Sequence, residues 1–258
     1  MNTYFKNKKS LFFAFIILAV TFSGCSIEGE PNPRLSLFIG VDVSGSYVNS
    51  GHYDESISFM ANYIYAHLNG LGELEKPNEL FVSSIGGAEP GQPKSFYPIH
   101  VFENKSVDEI EAKLREYFPK KKQNDLTDFN AFFEQIAETI RSKNLILRPV
   151  SIVMLSDGVP DLQKNGETDY RSIKLSPLEK LSRNITVRLL YTDPVTGKKW
   201  RTEIPRRRVK IWTQSSEVMT TWNDSTIFFQ DSTLAKQDRW LKWTKDNVDF
   251  GVRARRVD

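Results

Sequence analysis

The chain has 258 residues, 40% of them hydrophobic and 26% charged, which suits one α/β domain with a short leader, or at most two small domains. Its formal net charge is +3, and Lys6, Lys8 and Lys9 precede every acidic residue. Loss of a leader would therefore leave a neutral chain, which argues against a nucleic-acid partner. The single cysteine, Cys25, excludes an internal disulfide and a cysteine-rich zinc site, and His52, His67 and His100 are too far apart in sequence for a histidine-based one.

The three lysines are followed by an apolar run, Leu11 to Phe22, of 12 residues. An ordinary spanning helix needs about 20 such residues, so this pattern reads as a signal peptide. Phe22-Ser23-Gly24-Cys25 resembles a bacterial lipobox, with Phe22 where Leu is usual. The resemblance implies that residues 1–24 are a lipoprotein signal peptide and that Cys25 carries the lipid, palmitate among its acyl chains. It implies a lipid-anchored protein of the bacterial cell envelope, periplasmic or surface-exposed. Residues 25–34, with Glu28, Glu30, Pro31 and Pro33, read as a polar tether to a domain over 35–258.

Leu35 to Val41 is short and almost wholly apolar, the pattern of a strand covered on both faces of a parallel sheet. From Ser56 to Leu71 apolar residues recur at spacings of three and four, which predicts a helix. Strands are expected at Glu79–Ile85 and Ile99–Phe102. Helices follow at Val107–Phe118, with Ser106 and Glu109 placed as a capping box, and at Asp128–Ser142. Val150–Leu155 is a β-branched strand, Leu175–Arg183 a short helix, and Ile185–Tyr191 a further strand. Thr192 to Arg208, carrying Pro194, Gly197 and Pro205, reads as an extended loop or hairpin. A strand at Val209–Trp212, a helix at Leu234–Lys245 with Trp240 and Leu241 inward, and an edge strand at Val248–Val257 complete the chain. Strands alternating with helices predict a doubly wound, mostly parallel, Rossmann-like α/β sheet with helices on both faces and a C-terminal elaboration.

Asp42-Val43-Ser44-Gly45-Ser46 directly follows the first predicted strand. In a doubly wound sheet, ligands bind outside the carboxyl ends of the strands. Leu126-Thr127-Asp128 before a helix and Ser156-Asp157-Gly158 at a strand end should reach the same edge. All five candidate side chains, Asp42, Ser44, Ser46, Thr127 and Asp157, end in oxygen, the donor that Mg²⁺ or Mn²⁺ prefers.

In order and context these residues resemble the metal-ion-dependent adhesion site (MIDAS) of von Willebrand factor A (VWA) domains, over roughly residues 35–215. The resemblance implies direct ligation by Ser44, Ser46 and Thr127, with Asp42 and Asp157 acting through water or hydrogen bonds. It also implies an open metal position for an acidic side chain of a partner protein. Neutral hydroxyls quench little of the +2 charge, so the ion stays electrophilic toward an anionic ligand.

Two other functions fit the same residues. One is a metal-assisted phosphohydrolase with Asp42 as nucleophile, although the chain has Ser44 where such enzymes carry a second Asp, and it has no glycine-rich phosphate loop. The other is a VWA-like scaffold with no functional metal. Arg206, Arg207 and Arg208, with Lys198, Lys199 and two nearby tryptophans, read as a solvated strand face rather than as a site for nucleic acid or anionic lipid.

Overall fold

The computed structural model describes residues 33–85, 96–120, 126–164, 166–182 and 184–251. The expected signal peptide, Cys25 and most of the tether lie outside them. Pro33–Asp258 form one compact unit, and both cores described below belong to it. Among the described residues no helix is long and apolar enough to cross a membrane.

The described residues contain eight strands: β1 (Leu35–Val41), β2 (Pro77–Ser84), β3 (Tyr97–Pro98), β4 (Val150–Leu155), β5 (Gln163–Lys164), β6 (Glu167–Thr168), β7 (Ile185–Thr192) and β8 (Lys210–Ser215). The helices are α1 (Gly45–Val48), α2 (Tyr53–Asn69), α3 (Val107–Tyr117), α4 (Phe129–Ser142), α5 (Ser176–Glu179), α6 (Pro194–Thr202), α7 (Ser216–Met219) and α8 (Asp238–Asn247). The main sheet runs β3-β2-β1-β4-β7-β8, parallel except for β3, and β5 and β6 form a separate small ladder. β1 pairs with β2 on one side and β4 on the other, so the winding direction reverses between β1 and β4. The carboxyl ends of those two strands flank the crevice where this fold binds ligands.

Every residue of β1, β4 and β7 is buried, because helices cover both faces of the sheet. Alternate residues feed two cores. Leu37, Ile39, Val41, Val153 and Leu155 meet α2, α3 and α8, whereas Phe38, Ile152, Met154, Val187 and Leu189 meet α4, α5 and α6. Gly40 breaks the apolar run of β1 for a steric reason. A Cβ there would lie 2.7 Å from Phe132 and 2.8 Å from Ile85, so its absence lets α4 press onto the strand.

The C-terminal elaboration completes the first core. Trp222, Trp240 and Trp243 surround Phe59 of α2 at ring distances of 5.9, 6.2 and 6.1 Å. Arg188 of β7 locks the segment down, donating to the carbonyls of Val248 at 2.6 Å and Phe250 at 2.9 Å and to Ser151 Oγ at 2.9 Å. A buried guanidinium is tolerated here because its donors find acceptors.

Most boundaries follow the sequence expectation, including the Ser106–Glu109 capping box. Three segments differ. Pro194–Thr202 is a helix, not a loop: Asp193 caps it by accepting from Val195 N and Thr196 N, and Pro194 takes the first turn, where its missing N–H costs nothing. Ile99–Val101 is a single helical turn, and the strand pairing lies just before it, Phe81 with Pro98 and Val82 with Tyr97. Val248 to Gly251 form no strand, being held across the sheet by Arg188, and residues 252–257 lie outside the described part.

His67, in the last turn of α2, is fully buried against Tyr63, with Nδ1 2.8 Å from Glu75 O and Nε2 4.0 Å from Asp249. Burial pushes its pKa below the ordinary 6.5, outweighing the opposite pull of Asp249. The unfolded chain therefore binds a proton on this residue that the folded chain refuses. Stability from this residue is complete above pH 6.5 and is lost as pH falls from there toward the depressed value. Melting temperatures measured from pH 7.5 down to pH 5 are expected to decline, and His67→Gln to flatten that decline; equal slopes in the two proteins would refute the assignment.

Candidate metal centre

β1 ends by delivering Asp42 to the crevice. The carboxylate is 0% exposed, and both of its oxygens are engaged. Oδ1 accepts from the backbone N–H of Ser44 at 2.8 Å, and Oδ2 accepts from the Ser156 hydroxyl at 2.5 Å. Burial raises its pKa above the usual carboxylate range; the bonds from Ser156 and Ser44 oppose that shift and nearby Asp157 adds to it. A cation beside the loop would favour the charged form.

The hydrogen bond from Ser44 N folds the loop back on Asp42 and presents Ser44 and Ser46 on one side. Their hydroxyl oxygens lie 3.2 Å apart. Adjacent ligands of an octahedral ion at about 2.1 Å from each oxygen are separated by about 3 Å, so the spacing fits Mg²⁺ or Mn²⁺. Ser44 also caps α1 by accepting from Tyr47 N at 3.4 Å, which holds the loop while leaving its oxygen acceptor capacity.

Ser156 and Asp157 arrive from the end of β4. Ser156 donates to Asp42 and accepts from Gly158 N at 2.9 Å, and Asp157 Oδ1 accepts from Val159 N at 3.0 Å. Gly158 sits at φ +79, and a Cβ there would lie 2.7 Å from Leu189 and 3.0 Å from the Trp200 indole nitrogen. The turn needs glycine on both counts.

Thr127, buried ahead of α4, joins through its backbone: Asp161 N donates to Thr127 O at 3.3 Å. A side-chain bridge reinforces this. Phe129 packs edge-on against Trp200 at 4.9 Å, and the Trp200 indole donates to Gly158 O at 2.7 Å. All three predicted loops thus meet at one edge of the sheet. Asp128 caps α4 by accepting from Ala131 N. Neither Ser156 as an orienting residue nor Trp200 as the clamp is evident from sequence pattern. Ser156 carried one local signal, its place between a buried strand and Asp157; Trp200 carried none.

Among the described residues no group of three or more His, Cys, Asp or Glu could hold a metal. The candidate donor set is instead two seryl hydroxyls and a threonyl hydroxyl, backed by Asp42 and Asp157. That set suits a hard, oxygen-seeking cation. Ser156→Ala would leave Asp42 Oδ2 buried without its donor, at an expected cost of about 1–3 kcal/mol by chemical denaturation; a change within error would show that the bond is not needed.

No family model matches this chain, and no curated protein matches it. Several solved structures resemble it. Proximal thread matrix protein 1 from the mussel byssus is 10% identical, with a TM-score of 0.44 over 73% of this chain and 46% of that one. Manganese-loaded TRAP protein of Plasmodium vivax is 15% identical, with a TM-score of 0.43 over 72% and 70%. The VWA domain of SpRpn10 is 11% identical, with a TM-score of 0.43 over 86% and 100%. The chain spans less than half of the mussel protein.

Proposed function

We propose that this chain is a VWA-like binding module that holds Mg²⁺ or Mn²⁺ at Ser44, Ser46 and Thr127 and uses the ion to bind an acidic side chain of a partner protein. The observation that carries the reading is the Asp42 loop. A buried carboxylate, held at both oxygens, sets two hydroxyls 3.2 Å apart at the winding reversal of the sheet. When bound, the ion supplies a Lewis-acidic position for a carboxylate. Asp42 and Asp157 supply negative charge nearby, and Ser156 fixes Asp42. Before the ion binds, the carboxylates would repel an acidic partner, so binding is metal-dependent.

The same geometry disfavours the phosphohydrolase reading. A nucleophilic carboxylate needs a free oxygen facing substrate, whereas Asp42 is fully buried with both oxygens taken. The module acts from a membrane, through lipid on Cys25 after removal of residues 1–24, in the cell envelope. Support for this part is the basic and apolar leader ending in Ser23-Gly24-Cys25.

Titrating residues 26–258 with Mn²⁺ calorimetrically tests the centre, and an immobilised carboxylate-rich peptide tests the open position. Saturable Mn²⁺ binding and peptide retention that chelator reverses are expected. Retention indifferent to chelator would remove the metal from the function. Membrane release of a Cys25→Ser chain tests the anchor separately.

A further inference from the structure

The amino-terminal edge of the sheet, opposite the metal centre, carries a second surface. Leu145 is buried, but the next two residues point outward: Ile146 is 44% and Leu147 71% exposed. Leu147 also adopts φ +70 and Asn144 φ +55. A bulky residue in the left-handed region is strained, and such strain persists where surrounding structure imposes it. Here Leu147 N donates to Leu181 O at 2.9 Å, and Ser182 Oγ donates to Arg148 O at 2.7 Å. The loop is held in the shape that puts two apolar side chains into water.

Basic residues from four parts of the chain converge on this edge. Ser36 N bonds Pro149 O at 2.9 Å, placing Arg34 beside the Ile146–Arg148 loop. Leu181 O joins Lys180 to the same loop, and Glu179 accepts from Arg208 N at 3.2 Å, bringing the Arg207-Arg208 pair alongside; contrary to the sequence expectation of a strand face, this pair lies in the turn ahead of β8. Lys143 lies just before the apolar pair. Of the acidic groups here, Glu179 is engaged by those backbone N–H groups and Asp249 by Arg188 and Lys245, Glu75 is exposed, Glu134 and Glu138 share a cleft with Lys180, and Glu103 shares one with Pro33.

We infer that this edge docks on anionic phospholipid headgroups, with Ile146 and Leu147 entering the interface and the surrounding Lys and Arg side chains meeting the phosphates. The inference rests on the lipid-anchor reading only for which surface is at hand. Nine residues, 26–34, span at most about 30 Å of chain, and β1, which follows them, begins at this edge. The tether then adds to a surface that binds headgroups by itself, by keeping the local concentration high. The orientation is functional. β1 runs seven residues from this edge to Asp42, which lifts the metal centre about 20 Å away and turns it toward the aqueous side.

Co-sedimentation of residues 26–258, lacking Cys25, with phosphatidylcholine vesicles tests this, with and without phosphatidylglycerol. At least about tenfold more protein is expected on the anionic vesicles, with that excess lost in high salt. Leu147→Asn relieves the φ +70 strain and removes the apolar insertion. It is expected to keep or raise the melting temperature while reducing vesicle binding several-fold, and Lys143→Glu gives a second, independent reduction. Asp42→Ala should bind vesicles normally. Equal sedimentation with the two vesicle types, or undiminished binding in both variants, overturns the docking surface and leaves a protein partner as the reading of the patch. A full chain that stays in membranes by way of Cys25 while the fragment ignores vesicles keeps the anchor and refutes the docking.

Discussion

Asp42→Ala is expected to abolish the rise in melting temperature that Mg²⁺ or Mn²⁺ produces in the parent domain. A ligand that binds only the folded state contributes about 2.7 kcal/mol at one hundred times its dissociation constant. Asp42 touches the centre in two ways: its charge draws the ion, and its Oδ1 bond to Ser44 N shapes the loop that offers Ser44 and Ser46. Alanine removes both at once and strands the Ser156 hydroxyl. Mn²⁺ affinity should fall by about 100-fold or more, as expected for losing charge-assisted contacts of about 3 kcal/mol. Asp42→Asn, with its neutral carboxamide, should also lose the ion, and comparing the two variants separates charge from shape. The proton competes for the same carboxylate. Because burial raises its pKa, Mn²⁺ affinity in the parent should fall as pH is lowered toward that raised value, at a higher pH than an exposed aspartate would produce. A melting temperature that rises equally with metal in parent and Asp42→Ala would place the ion elsewhere.

Trp200→Ala is expected to be the most damaging single change to stability. The indole is 0% exposed, so its removal opens a large cavity in the second core, a change that costs about 3–5 kcal/mol. For a domain of this size that is a fall of about 10 °C in melting temperature. The side chain also spans the centre, with its ring on Phe129 at the start of α4 and its N–H on the Gly158 carbonyl. Loosening both loops should weaken Mn²⁺ binding about tenfold or more, although Trp200 offers no ligand. Trp200→Phe keeps most of the ring volume but loses the hydrogen bond. It is expected to cost about 1–2 kcal/mol, with a smaller loss of affinity. Full affinity in a folded Trp200→Ala protein would show that the two loops are positioned independently.

Candidate ligands were legible in the sequence because each sits at a local boundary. Asp42, Ser44 and Ser46 follow a run of buried apolar residues, Thr127 precedes an amphipathic helix, and Asp157 ends a β-branched strand. A buried strand and a helix announce themselves through side-chain period alone, and the fold class determines which of their ends face one another. The α6 helix is hidden in the sequence for a related reason. Pro194 and Gly197 are helix breakers on average, but Pro194 occupies the first turn, and a Cβ at Gly197 would lie 2.8 Å from the Thr213 hydroxyl on β8. Packing against a strand distant in sequence decided that helix, and propensity carries no record of it.

The sequence by itself therefore determined the doubly wound sheet and the five oxygen-bearing candidates at its carboxyl edge, since each depends on near neighbours. Only the tertiary structure decided which groups hold those five in place and how charge is distributed over the whole. Ser156 reaches Asp42 across 114 positions, and Trp200 reaches Gly158 across 42. Arg34, Lys143, Lys180 and Arg208 share an edge only because parallel strands begin on the same side. Contacts of this kind come from chain closure between remote segments, which no local pattern encodes.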